Sequence, residues 1–185
     1  MKKIYYSWQD IERQCQSIVN QLAQDQWLPD YVVGITRGGN IPATIISHML
    51  NTRCEALKVS LRDSDSESES NCWMAEDAFG YVHEKDYGSR WDVSFRKNIL
   101  IVDDINDTGK TLEWIKNDWE SSCLKNEQHA WKSVWGNTVR FAVLTNNAAS
   151  DFVDELYYAT EINKMEEPSW IVYPWECVGE YIDNA

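Results

Sequence analysis

The run Asn98-Ile99-Leu100-Ile101-Val102-Asp103-Asp104 constrains this chain more than any other stretch. Its apolar residues show no polar alternation, so the segment must be covered on both faces, which predicts a central strand of a parallel sheet. Adjacent carboxylates close the strand. Asp104 to Lys110 then reads as a turn, and 111–120 as a helix. Open α/β sheets receive ligands in the crevice at the carboxyl ends of their strands. Where the chain leaves the sheet, both Asp103 and Asp104 can reach that edge. In Asp107-Thr108-Gly109-Lys110-Thr111, backbone N–H groups, hydroxyls and a helix N-terminus follow one another, which suits a monophosphate.

Simpler explanations of the motif fit less well. A Walker A loop needs glycine where Asp104 stands. A receiver domain carries paired acids after a strand, but near its N-terminus and without the phosphate turn. An ordinary surface turn uses the same residue types. It does not require a hydrophobic strand, an acid pair, a third acid and a hydroxyl-Gly-hydroxyl turn in that order.

The remaining pattern surrounds this strand with an α/β fold. Ser7-Trp8-Gln9-Asp10 has the form of a capping box, and Ile11, Cys15, Ile18, Val19 and Leu22 recur at helical spacing, predicting a helix over 8–24. A turn at Trp27-Leu28-Pro29-Asp30 leads to a buried strand over 31–36, the turn Arg37-Gly38-Gly39 and a helix over 42–50, with Pro42 in its first turn. Leu57, Val59 and Leu61 alternate as in a strand. Residues 63–70 hold four acids in eight positions with no apolar partner and read as solvated and mobile. Neither 72–97 nor 121–137 supports a firm assignment. Further strands are expected over 138–145 and near 155–159 and 170–173. Strands alternating with helices imply a mostly parallel twisted sheet with helices on both faces.

Composition narrows the function classes. The 185 residues suit one domain, 1–185, with a full core. Seventeen Lys+Arg against 30 Asp+Glu give −13, which argues against a general nucleic-acid binder. A polyanionic ligand would need backbone amides, a metal or a few placed cations to overcome that field. No apolar run approaches the roughly 20 residues of a bilayer span, so no membrane insertion is expected. The opening Met-Lys-Lys-Ile-Tyr-Tyr-Ser-Trp turns polar too soon for a signal peptide. Cys15, Cys54, Cys72, Cys123 and Cys177 are odd in number, scattered and without a CxxC pair, as expected of reduced thiols in the cytoplasm.

The stretch from Ile99 to Thr111 resembles the PRPP-binding motif of the type I phosphoribosyltransferases. The resemblance implies that Asp103 and Asp104 hold the ribose hydroxyls and that Asp107, Thr108, Gly109, Lys110 and Thr111 hold the 5′-phosphate. It places Asp107 near the base, where it would accept the base proton as the catalytic residue. Val33-Gly34-Ile35-Thr36-Arg37-Gly38-Gly39-Asn40-Ile41-Pro42 looks like the family's pyrophosphate loop, which assigns pyrophosphate to Arg37, Gly38 and Gly39 and often holds a cis peptide. Ser169-Trp170-Ile171-Val172-Tyr173-Pro174-Trp175-Glu176 and Tyr6-Ser7-Trp8-Gln9-Asp10-Ile11 resemble the base-binding hood of the bacterial xanthine-guanine branch.

That branch resemblance implies a small hood built from N- and C-terminal segments, its C-terminal part over 160–185. Trp170 would stack on the base and Ile171 would offer it backbone contacts. Asp104 and Glu176 would serve as ligands to the cofactor Mg²⁺, and 62–97 would hold the family's mobile loop. Purine enzymes place a lysine after the next strand, and Asn146 stands there in this chain, which assigns Asn146 to the base and leaves the preferred base open. The implied reaction moves the 5-phosphoribosyl group from PRPP to xanthine, guanine or hypoxanthine, releasing pyrophosphate, in purine salvage. The implied assembly is a homodimer or homotetramer. The alternative is a non-catalytic PRPP- or nucleotide-sensing regulator on the same fold.

Overall fold

A computed structural model describes residues 1–59, 72–84, 88–123 and 130–176. The chain runs β1 (Lys2–Tyr5), α1 (Trp8–Gln24), β2 (Tyr31–Thr36), α2 (Asn40–Leu50), β3 (Arg53–Lys58), α3 (Cys72–Phe79), β4 (Tyr81–Glu84), β5 (Gly88–Trp91), β6 (Ile99–Asn106), α4 (Lys110–Asp118), β7 (Val139–Asn147), β8 (Leu156–Ile162) and β9 (Ser169–Val172). Five strands form one sheet in the order β3-β2-β6-β7-β8, with every neighbouring pair parallel. Strands β4 and β5 make an antiparallel hairpin, and β1 pairs with β9 in a separate parallel ribbon.

Strand alternation divides the core into two layers. Val32, Leu100, Val102, Ala142 and Leu144 pack under α1 and α2 with Ile11, Cys15, Ile18 and Ile46. Val33, Ile35, Ile99, Ile101 and Phe141 pack under α3 and α4 with Met74, Phe79, Leu112 and Ile115. Each Val, Leu, Ile, Phe and Met side chain among them contributes about 1.5–3 kcal/mol through burial. The second layer is finished by indoles: Trp119 and Trp131 are buried, and Trp135 stacks on Trp131 at 5.4 Å and on Phe141 at 5.9 Å. Trp131 and Trp135 are the tryptophans of the 121–137 stretch that supported no assignment.

Local signals account for most elements. Asp10 donates its backbone N–H to Ser7 Oγ at 3.2 Å, and Ser7 donates its own to Asp10 Oδ2 at 2.8 Å, so the capping box forms and α1 begins at Trp8. Strand β6 runs further than expected, through both acids to Asn106, because its pairing with β7 continues as far as Asn106 opposite Asn146. Strand β3 lies earlier than the alternation of Leu57, Val59 and Leu61 suggested. It is an edge strand paired only with β2, and Leu57 is its one buried residue, so its sequence carries little apolar signal.

The acidic run 63–70 lies outside the described residues. Within the 62–97 span, expected as a mobile loop, α3 sets Met74, Ala75, Ala78 and Phe79 into the core. Residues 160–162 complete the edge strand β8, so β9, which pairs with the N-terminal β1, begins only beyond them.

The topology selects one crevice. From β2 the chain crosses to β3 on one side, and from the adjacent β6 it crosses to β7 and β8 on the other. The carboxyl ends of β2 and β6 therefore flank a topological switch point, where parallel sheets open a cleft. Both sequence motifs lie there.

Candidate active site

The loop after β6 forms the first part of the site. Residues Asp103 to Leu112 line a cavity of about 180 Å³. Gly109 caps α4 with φ +85°, a left-handed conformation that other residues adopt at a cost of about 1–2 kcal/mol. A Cβ there would also lie 2.7 Å from the Phe152 backbone nitrogen. No side chain caps the N-terminus of α4, in contrast to α1, so its first turn faces the cavity with the positive end of the helix dipole. Thr108 and Lys110 are exposed at the rim, and Thr111 follows Lys110 in the first turn of the helix.

The loop after β2 closes on the acids from the other side. The Thr36–Arg37 peptide is cis, as the family resemblance implies. Gly38 lies against Asp104 so closely that a Cβ would fall 1.9 Å from Asp104 Oδ2. Gly39 caps α2, again with no side-chain cap, and Arg37 is exposed. Sequence segments from two βα units thus meet at the acid pair.

The acid pair is electrostatically loaded. Burial pushes the Asp103 carboxyl well above the ordinary carboxylate range, and the neighbouring Asp104 charge pushes it the same way. Asp104 is pushed up to about 6, first by burial and then by the charge of Glu176. The Asp104 backbone N–H donates to Asp103 Oδ1 at 3.0 Å, and the Tyr173 hydroxyl donates to the Asp104 carbonyl at 2.7 Å. Ligands that donate hydrogen bonds or carry positive charge relieve this strain, so the pair is suited to sugar hydroxyls and to a cation.

A second cavity of about 180 Å³ shares Asp104 and Asp107 with the first and is bounded by Lys164, Trp170, Tyr173 and Glu176. The Trp170 ring is 52% exposed, whereas Ile171 beside it is buried. The ribbon sets their positions, with Trp170 opposite Lys3 and Ile171 opposite Ile4. Lys164, which the sequence reading did not single out, extends Nζ to Asp107 Oδ1 at 2.9 Å. Asn146, expected at the base, does not line this cavity. It accepts from Asn106 Nδ2 at 2.9 Å and its own Nδ2 lies 3.4 Å from Glu161 Oε2.

The next residue, Asn147, is the buried hub. Its Nδ2 donates to the Asp107 carbonyl at 2.8 Å, and its Oδ1 accepts from the Lys164 backbone N–H at 3.1 Å. Nothing in the motif spacing marks Asn147 or Lys164. Their signal lies in the burial of an amide and in a pairing across the sheet.

The residues present fit a hard cation held chiefly by substrate oxygens. Asp104 and Glu176 face one cavity and feel each other's charge. Among the described residues no group of three or more His, Cys, Asp or Glu gathers into an all-protein cage. One or two carboxylates supplemented by phosphate oxygens is the donor set magnesium prefers. A larger cavity of about 400 Å³ lies at Asp25, Arg140 and Tyr157, but there Arg140 and Tyr157 both bond Asp25, which spends their polar groups.

Comparisons with known proteins agree with this geometry. The family model described as the phosphoribosyl transferase domain matches residues 1–178. The hypoxanthine-guanine phosphoribosyltransferase of Schizosaccharomyces pombe is 29% identical over 94% of this chain and 89% of its own. The xanthine-guanine phosphoribosyltransferase of Cereibacter sphaeroides is 28% identical over 98% of this chain and 92% of its own. Among solved structures, the xanthine-guanine-hypoxanthine phosphoribosyltransferase of Helicobacter pylori shares the fold with a TM-score of 0.62 at 16% identity, covering 100% of both chains. Among the described residues, no helix is long and apolar enough to cross a membrane.

Proposed function

The chain belongs to the phosphoribosyl transferase domain family, and from that premise we propose that it is a purine phosphoribosyltransferase joining PRPP to a 6-oxopurine. The observation that carries the reading is the shared wall. Asp104 and Asp107 border both the cavity at the mouth of α4 and the aromatic-floored pocket, so a sugar gripped at the wall faces a base in the pocket. Relatives named for hypoxanthine, guanine and xanthine support the purine class.

Each residue then has a physical task. The α4 N-terminus with Thr108, Gly109, Lys110 and Thr111 receives the 5′-phosphate. Asp103 and Asp104 accept hydrogen bonds from the ribose hydroxyls and so fix C1 of the sugar. Arg37 and the backbone of Gly38 and Gly39 face the leaving pyrophosphate. The C1–oxygen bond breaks with its electron pair leaving on pyrophosphate, and a C1–nitrogen bond to the base forms. Asp107 accepts the proton lost from the base nitrogen. Trp170 stacks on the base, and its backbone neighbour Ile171 meets the base edge.

Mg²⁺, held by Asp104 and Glu176 together with PRPP oxygens, would supply charge neutralisation for the polyanionic substrate of a chain at −13. The same reading places the protein in purine salvage in the cytoplasm as a homodimer or homotetramer, which sedimentation would check.

Pyrophosphate release from PRPP with hypoxanthine, guanine and xanthine in turn is the test. The wild type turns over at least one base. Asp107→Asn lowers kcat strongly while calorimetry still shows PRPP binding. PRPP binding without turnover of any base would overturn the transferase reading in favour of a sensor.

A further inference from the structure

Tyr173 joins two parts of the site that are far apart in sequence. Its ring is buried between Tyr6, at 5.7 Å, and Trp175, stacked at 4.8 Å. Its hydroxyl donates to the Asp104 carbonyl at 2.7 Å and lies 3.1 Å from Thr145 Oγ1. A phenol has one proton to give, so with the Asp104 carbonyl taking it, Thr145 donates in return. Burial holds the phenol above its ordinary range, which keeps that proton in place. The bond answers a local need. Strand β2 pairs with β6 only as far as Val102, so past that point the β6 backbone must find partners outside that pairing. The same residue ties down a second acid. The Tyr173 backbone N–H donates to Glu176 Oε2 at 3.0 Å, and the Glu176 N–H donates to the Tyr173 carbonyl at 3.0 Å.

Resting on the phosphoribosyl-transfer reading, we propose that Tyr173 is a positioning residue for the donor PRPP, its hydroxyl fixing where Asp104 stands and its backbone aiming Glu176 at the same space. Tyr173 borders the aromatic-floored pocket, but the bonds it makes run to the two acids and to Thr145. The strut matters because Asp104 has little slack. Gly38 already crowds its carboxylate, so a shift of the Asp104 main chain moves the oxygens away from the ribose hydroxyls instead of being absorbed by a new rotamer. A carboxylate that repels its neighbours is also the group that most needs a fixed backbone, since Asp103 and Glu176 both push on it.

The experiment measures the calorimetric Kd for PRPP with Mg²⁺, and KM for hypoxanthine, guanine and xanthine, in the wild type, Tyr173→Phe and Thr145→Val. Tyr173→Phe keeps the stacked ring and removes the strut. Loss of that one hydrogen bond predicts a Kd for PRPP raised roughly 3- to 10-fold. KM for the base should change less than about 2-fold, since the floor under it is intact. Thr145→Val removes the other bond of the same hydroxyl and leaves the strut, so its Kd for PRPP should stay within about 2-fold of wild type. Thermal unfolding of both variants measures the packing cost they share. An unchanged Kd for PRPP in Tyr173→Phe, an equal rise in both variants, or a change confined to the base overturns the proposal alone. A wild type that binds no PRPP overturns the transferase reading and the proposal with it.

Discussion

Asp104→Asn should stabilise the folded protein while disabling it, and the gain should depend on pH. Burial and the Glu176 charge raise the Asp104 carboxyl from 3.8 to about 6. An acid with a raised pKa holds its proton longer in the folded chain than in the unfolded one. Folding stability therefore declines as pH climbs above 3.8, and the loss is complete once pH passes about 6. The difference between the two values corresponds to about 3 kcal/mol at pH 7. An asparagine has the same shape and no proton to lose, so it avoids this penalty.

In a chain of this size about 3 kcal/mol moves Tm by roughly 6–12 °C. Thermal unfolding of wild type and variant between pH 4 and pH 8, followed by circular dichroism, measures the gap directly. It should be small near pH 4, widen through pH 6 and then level off. A gap that is constant across this range, or a variant less stable than wild type at pH 7, would refute the electrostatic account of the pair. PRPP binding should be lost in the same variant, the usual exchange of stability for function at a strained site.

Other perturbations separate the parts of the site. Gly109→Ala forces a Cβ into a positive-φ position 2.7 Å from the Phe152 nitrogen. It should raise KM for PRPP and lower stability by about 1–2 kcal/mol or more, read from saturation kinetics and urea unfolding. Trp170→Ala removes a half-exposed ring, so Tm should hold while KM for the base rises roughly 5- to 150-fold, the equivalent of about 1–3 kcal/mol of stacking. KM for PRPP should not follow it.

Much of this site was legible in the sequence because its parts are contiguous. The acid pair, the turn at 107–111 and the loop at 37–39 each occupy a few consecutive residues, and their strands are among the most apolar in the chain. The capping box alone placed the start of α1. What escaped was built from distant pieces. Lys164 sits in Asn163-Lys164-Met165, which reads as any polar turn, and acquires meaning only when β8 delivers it to Asp107. Asn146, which the sequence aligns with a base-contacting position, bonds Asn106 and Glu161, while the next residue, Asn147, turns toward Asp107. Strand β3 begins earlier than its alternation suggests because an edge strand needs little apolar sequence, and α3 escaped because eight residues with a mixed pattern give little periodicity.

The pairing of β1 with β9 sets an order of assembly. In the proposed function the grip on sugar and phosphate comes from the loops after β2 and β6, whereas the floor under the base requires Lys2–Tyr5 to meet Ser169–Val172 across almost the whole chain. Closing so long a loop is entropically late. On that reading the loops that hold sugar and phosphate are synthesised before β9, the strand that closes the floor under the base.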